Sequence, residues 1–201
     1  MHEEALSVTS VGDVRLLAER AHAGQTDKIG VPYIAHVHAV AAGLAPFGDE
    51  LVMAGLLHDV VEDTGWTAEH LLAAGVPGPV VAIVEVVTNE DGVPYEDKIR
   101  RIARDPHATL VKIADNAHNS RADRAARLPA AKRERLAAKY RAARGELWPA
   151  ARREDIEAIV RIVNPALLTE LDDHGPYRSV NAAVVPSAPT AASTAVTSQN
   201  R

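Results

Sequence analysis

The chain of 201 residues contains no cysteine, which excludes a disulfide framework and a thiolate zinc site. Any metal bound here is held by nitrogen and oxygen. The same absence fits a reducing compartment. Aromatic residues make up only 3% of the sequence, and segments rich in strong β-formers are few and short, so an all-helical fold is expected. No apolar run reaches the ~18 residues that mark a membrane span. The start, Met1-His2-Glu3-Glu4, lacks the basic and apolar regions of a signal peptide. We therefore expect no membrane association and a cytoplasmic location. A surplus of positive charge is also missing: the formal net charge is −5 with the nine histidines neutral, which argues against a nucleic acid partner.

What is present is an ordinary globular composition, 47% hydrophobic and 24% charged, in a length suited to one core. We expect an N-terminal extension over 1–10, one domain over 11–176, and a disordered tail over 177–201, where Ala, Val, Ser, Thr and Pro lack periodicity. Apolar spacing predicts helices from Val11 to about Ala23, from Pro32 through Leu44, and along positions 51–57. Thr67 is an N-cap for a short helix ending at Ala74-Gly75. The segment from Pro79 to Val87 fits a buried strand or a helix. Helix is preferred, because no second strand exists to pair with it. Further helices are expected from Tyr95 to Arg104, from Asp105-Pro106 onward, and from Ile156 to Val163.

Between Arg121 and Arg153 lie eleven of the twenty-two Lys and Arg residues. Leu136, Lys139, Tyr140, Ala143 and Leu147 share one stripe there, which predicts a helix packed on the core with a basic, solvated outer side. Attraction of polyphosphate is the alternative reading of that charge. No aromatic interleaving supports stacking on single-stranded nucleic acid, and nothing in the sequence specifies an oligomeric state.

The most informative stretch runs from Leu51 to Gly65. An apolar run leads into His58-Asp59, then two valines, then Glu62-Asp63. On a continuous helix these four polar side chains share one flank, with Gly65 as the C′ residue. Three carboxylates then crowd a helix C-terminus, where the macrodipole disfavours each by roughly a few tenths of a kcal/mol. A bound cation removes that conflict. Two other apolar helices also carry polar residues: Pro32-Tyr33-Ile34-Ala35-His36, and the run from Val111 to Asn119 that holds Lys112, Asp115 and His118. If the three helices converge, His36, His58, Asp59 and Asp115 offer two nitrogens and two carboxylates to one point. That donor set suits manganese, iron, zinc or magnesium, with six-coordinate geometry favouring manganese or iron. His22, His38 and His118 are read as packing or hydrogen-bonding residues rather than ligands.

These residues carry a resemblance. His36, the His58-Asp59 doublet and Asp115 are similar to the H…HD…D signature of the HD superfamily of metal-dependent phosphohydrolases. More narrowly, Ala21–Gln25, Gly30–His36, Gly55–Asp63 and Val111–Arg121 resemble the hydrolase domain of RelA/SpoT-type enzymes, the small single-domain alarmone hydrolases above all. The resemblance implies an all-α helical bundle that binds Mn²⁺ and removes the 3′-pyrophosphate from (p)ppGpp, giving GDP or GTP. It implies His36, His58, Asp59 and Asp115 as metal ligands, Glu62 and Asp63 as the catalytic acid pair, and Lys28 and Asn119 as contacts to a guanosine polyphosphate. The chain departs from the long enzymes at Asp27, where they carry arginine before the lysine, at Asn116, where they carry a basic residue, and at Val37, which replaces a common proline. The first two changes bear on base and phosphate recognition. They leave two other readings open: a phosphohydrolase for another nucleotide, such as a 5′-monophosphate or triphosphate, and a catalytically silent nucleotide-binding module.

Overall fold

A computed structural model describes residues 8–173. The tail expected over 177–201 and most of the N-terminal extension lie outside the described residues. The described residues form twelve α-helices: α1 (Val11–Ala21), α2 (Ile34–Gly43), α3 (Asp49–Leu57), α4 (Val60–Asp63), α5 (Ala68–Ala73), α6 (Gly78–Val87), α7 (Tyr95–Ile102), α8 (Pro106–Asn119), α9 (Ala122–Ala125), α10 (Ala130–Leu147), α11 (Arg153–Val163) and α12 (Leu167–Asp173). Among the described residues there is no strand, only an isolated bridge between Thr26 and Pro32. The fold is all-α, as composition and spacing imply. The segment open between strand and helix is α6, and its valines are buried because the helix packs between α3, α5 and α8. Among the described residues no helix is long and apolar enough to cross a membrane.

Two helices organise the rest. Helix α3 packs on α1, α2 and α6, and α8 packs on α2, α6, α10 and α11. Local chemistry sets where they begin. Asp105 caps α8 by accepting from the Ala108 N–H at 2.8 Å, with Pro106 in the first turn. Ser10 caps α1, and Thr67 caps α5. Close helix crossings explain two glycines. A Cβ on Gly43 would lie 2.4 Å from Val163 Cγ2, and one on Gly55 would lie 2.6 Å from Leu44 Cδ1 and 3.1 Å from the Ala41 backbone. Gly55 thus lets α3 lie directly against α2, which brings His58 to His36. Leu17, Leu44, Leu56, Leu57, Ile102 and Trp148 are among the large side chains fully buried around this crossing and the rest of the core.

The expected continuous helix through residue 63 does not form. Helix α3 ends at Leu57, Asp59 leaves helical geometry at φ −111° and ψ 0°, and α4 is a separate turn. The chain leaves α4 through extended Thr64, whose hydroxyl donates to the Val60 carbonyl at 2.6 Å. Gly65 is therefore not a left-handed cap. The break takes Glu62 and Asp63 off the end of α3 and places them on a separate single turn. Two helices escaped the pattern reading, the single turn α9 and α12. In α12 Leu167, Leu168 and Leu171 keep i, i+1, i+4 spacing, and Leu167 and Leu171 are buried; the signal was present but short.

Candidate metal centre and cleft

Helices α2, α3 and α8 each deliver part of one cluster. From α2 comes His36, from the end of α3 His58, and from α8 Asp115, exposed by 2%, 2% and 6% respectively. One ligand atom from each lies within 4.8 Å of the others. The Nε2 atoms of His36 and His58 are 3.3 Å apart, and His36 Nε2 lies 3.3 Å from Asp115 Oδ1. Asp59 Oδ2 completes the group, 2.8 Å from His58 Nε2 and 3.6 Å from His36 Nε2. All four residues expected as ligands converge.

The surroundings orient these donors. His58 donates from Nδ1 to the Gly55 carbonyl at 2.8 Å, which turns its Nε2 into the cluster. His36 Nδ1 lies 2.7 Å from His118 Nδ1. Burial and the His36 charge push His118 down to about 3, which favours its neutral form. Both candidate ligands therefore present Nε2 to the same point, backed by a hydrogen bond at Nδ1, as metal-binding imidazoles do. Tyr33 donates to Asp59 Oδ2. Asp115 receives Lys112 Nζ on Oδ2 at 2.6 Å and Asn119 Nδ2 on Oδ1 at 2.5 Å.

Charge tells the same story. Burial opposes protonation of His36, yet its hydrogen bonds to Asp115 and Asp59 outweigh burial and raise it to about 9. Burial opposes ionisation of Asp115, but Lys112 and the histidines hold its carboxyl well below the usual range. The negative field that keeps a proton on His36 is one that a divalent cation would answer. Two nitrogens and two carboxylate oxygens, aimed inward and supported from behind, fit such a cation.

The cluster lies at the base of a cleft of about 560 Å³, a size suited to a small ligand. Glu62, Asp63, Lys28 and Asn119 all line it. Burial, then the charges of Asp59 and Glu62, raise the pKa of Asp63. Glu62 takes hydrogen bonds from the Asn89 backbone N–H at 3.1 Å and from the Asn89 side chain. Across the cleft stands α10, where Lys139 Nζ sits 3.7 Å from the centre of the Tyr95 ring.

The HD domain family matches residues 15–143. The chain belongs to that family. Within this HD domain, the matched segment holds every candidate ligand and both members of the acid pair. A probable GTP pyrophosphokinase of Mycobacterium leprae is 39% identical over 116 residues, covering 52% of this chain and 15% of the relative. A guanosine-3′,5′-bis(diphosphate) 3′-pyrophosphohydrolase of Haemophilus influenzae is 37% identical over 119 residues, covering 53% and 17%. The bifunctional (p)ppGpp synthase/hydrolase SpoT of Escherichia coli is 39% identical over 120 residues, with the same coverage of 53% and 17%. The chain thus spans less than one fifth of the length of these relatives. Among solved structures, a metazoan ortholog of SpoT, described as hydrolysing ppGpp, superposes with a TM-score of 0.61 at 23% identity. The alignment covers 77% of this chain and 95% of that one, and it shows a shared fold.

In this HD domain the two departures have structural partners. Asp27 Oδ1 accepts from the backbone N–H of Ile29 and Val31 at 2.9 and 3.0 Å, and Oδ2 lies 2.9 Å from Arg124 Nη1. Burial opposes ionisation, but these donors hold its carboxyl below the usual range. Asp27 therefore shapes its loop and turns its charge to Arg124, leaving Lys28 to face the cleft. Asn116 is buried, donates to the Tyr140 carbonyl at 3.1 Å and accepts from Arg144 Nη1 at 3.0 Å. Arg144, from α10, also pairs with Glu170 at 2.7 Å. Tyr33, Asn89, Lys98 and Arg144 were missed as site residues. Only Tyr33, three residues before His36, had a signal within a motif; the others arrive from distant segments.

Proposed function

We propose that the chain is a divalent-metal-dependent phosphohydrolase that releases the 3′-pyrophosphate of (p)ppGpp. Water and ppGpp give GDP and pyrophosphate; pppGpp gives GTP. The observation that carries this reading is the convergence of His36, His58, Asp59 and Asp115 at the base of a cleft whose wall holds Glu62 and Asp63. The names printed for the relatives support the substrate class. We assign the metal as Mn²⁺ from the resemblance to the RelA/SpoT-type hydrolases, and the mixed nitrogen and carboxylate set admits it. A divalent cation held by these four residues supplies Lewis acidity, lowering the pKa of a water and drawing charge from a phosphoryl oxygen.

The chain's own residues do the rest. Asp63, with its raised pKa, takes the proton from the attacking water, and Glu62 orients that water by accepting its other hydrogen. Lys112 and Asn119 hold Asp115 in place, and Lys28 and Asn119 meet the substrate phosphates at the cleft surface. The catalytic unit spans 11–176 in our assignment and works in the cytoplasm. The test is product analysis with a nucleotide panel, ppGpp, pppGpp, GTP, GMP and dATP, with and without Mn²⁺. Mn²⁺-dependent pyrophosphate release from ppGpp and pppGpp alone is expected. Cleavage confined to the triphosphate or monophosphate would move the assignment to that substrate, and metal uptake with no turnover of any nucleotide would mark a silent binding module.

A further inference from the structure

We infer that Lys98 and Asn89 are positioning residues that clamp the Glu62 carboxylate to the cleft wall, so that it meets the attacking water from one fixed direction. The inference rests on the assignment of Glu62 to the acid pair. Helix α4, which carries Glu62, is four residues long, and so short a helix has no stiffness of its own. Its acid must be held from outside. Three donors do so: the Asn89 backbone N–H reaches Oε2 at 3.1 Å, the Asn89 amide reaches Oε1, and Lys98 Nζ lies 3.5 Å from Oε2. Lys98 also donates to Asn89 Oδ1, which closes the three side chains into a ring.

Burial shows how dependent this ring is on its members. Lys98 is 3% exposed, and a buried ammonium is unfavourable unless paired and hydrogen-bonded. Its partners are Glu62 and Asn89, brought from α4 and from the loop between α6 and α7. Burial and the Lys112 charge lower its pKa to about 8, against the pull of Glu62, Asp115 and Asp59. Asp63 differs in its surroundings: Tyr33 stands beside it, and neither Asn89 nor Lys98 is among its partners. The acid pair is thus divided by position, with Glu62 the member held by the ring.

Steady-state kinetics of the full chain with Mn²⁺ and ppGpp test this, using wild type, Lys98→Met, Lys98→Arg, Asn89→Ala, Glu62→Gln and the Glu62→Gln/Lys98→Met pair. Lys98→Met is expected to lower kcat at least ~10-fold through misplacement of the acid, with KM within ~3-fold, and Lys98→Arg to recover most of it. In the Glu62→Gln background the same change should add less than ~2-fold, because the clamp then holds nothing charged. A raised KM with intact kcat would make Lys98 a direct phosphate contact, and effects that multiply across the pair would separate it from Glu62; either overturns the clamp. Asn89 is exposed, so Asn89→Ala carries the same test if Lys98→Met does not fold. If wild type fails to cleave ppGpp, the functional assignment falls, and crystal structures of wild type and Asn89→Ala still decide the clamp. A Glu62 carboxylate displaced in the variant supports it, and one left in place overturns it.

Discussion

The base of the cleft and its α10 wall are built on opposite rules. At the base, buried His36, His58 and Asp115 project from apolar helices, and each is hydrogen-bonded from behind, to His118, to the Gly55 carbonyl, and to Lys112 and Asn119. Along the wall, Lys28 and Lys139 lie at the surface of the cleft, and their geometry is set by a loop and by one face of a long helix. Buried polar groups left without partners are costly, so the base is over-determined. Exposed cations are not, so the wall is free to vary. The difference separates two roles under the function proposed above: the base carries the chemistry, and the wall selects what enters.

The largest effect is expected at the base. His58→Ala should abolish stoichiometric Mn²⁺ binding, read by elemental analysis after reconstitution, and lower turnover at least ~1,000-fold, beyond the loss of one acid–base group. Retained metal would break the contrast between base and wall. Next comes the acid pair: Glu62→Gln with Asp63→Asn should keep the metal and cut kcat at least ~100-fold. Metal content and kcat moving together would merge the two sites that the break at Asp59 separates. The smallest effects belong to the wall. Lys28→Ala should raise KM for ppGpp roughly 10-fold, about the worth of one charge-assisted contact, with kcat within about a factor of two. Asp27→Asn in the same loop should leave Mn²⁺ content untouched and lower the melting temperature by a few degrees, about what ~1 kcal/mol costs a domain of this size. If Asp27→Asn instead changed kcat as much as the acid pair does, loop and base would be one unit.

Much of the base is legible in sequence because its signals are local. Polar residues inside apolar helices at His36, His58 and Asp115 mark one shared site, and each helix shows itself by its own spacing. The break after His58 is not legible. It depends on α3 crossing α2 at Gly55 and on where Glu62 finds its partners, and the 58, 59, 62, 63 spacing looks the same on a continuous helix. Asn89 and Lys98 are invisible for a related reason: they meet Glu62 across 27 and 36 residues. The basic segment reads in sequence as the solvated outer side of a helix packed on the core, or as an attractor of polyphosphate. The structure divides it, with Arg144 buried against Asn116 and Glu170, Arg124 paired with Asp27, and Lys139 on the cleft.

By itself the sequence determined an all-helical chain, the exclusion of thiolates from any metal site, and four candidate ligands; the acid pair one turn further on came from the resemblance of Gly55–Asp63 to the hydrolase motif. The first three follow from residue type and periodicity, which are properties of neighbours along the chain. Only the tertiary structure decided that one helix ends before His58-Asp59 and Glu62 sits on another, that His118 lies against His36, and that Asp27 and Asn116 are engaged by Arg124 and Arg144. Those outcomes depend on how closely helices cross and which distant side chains reach the crossing. Packing of the whole core sets both, and no local spacing encodes it.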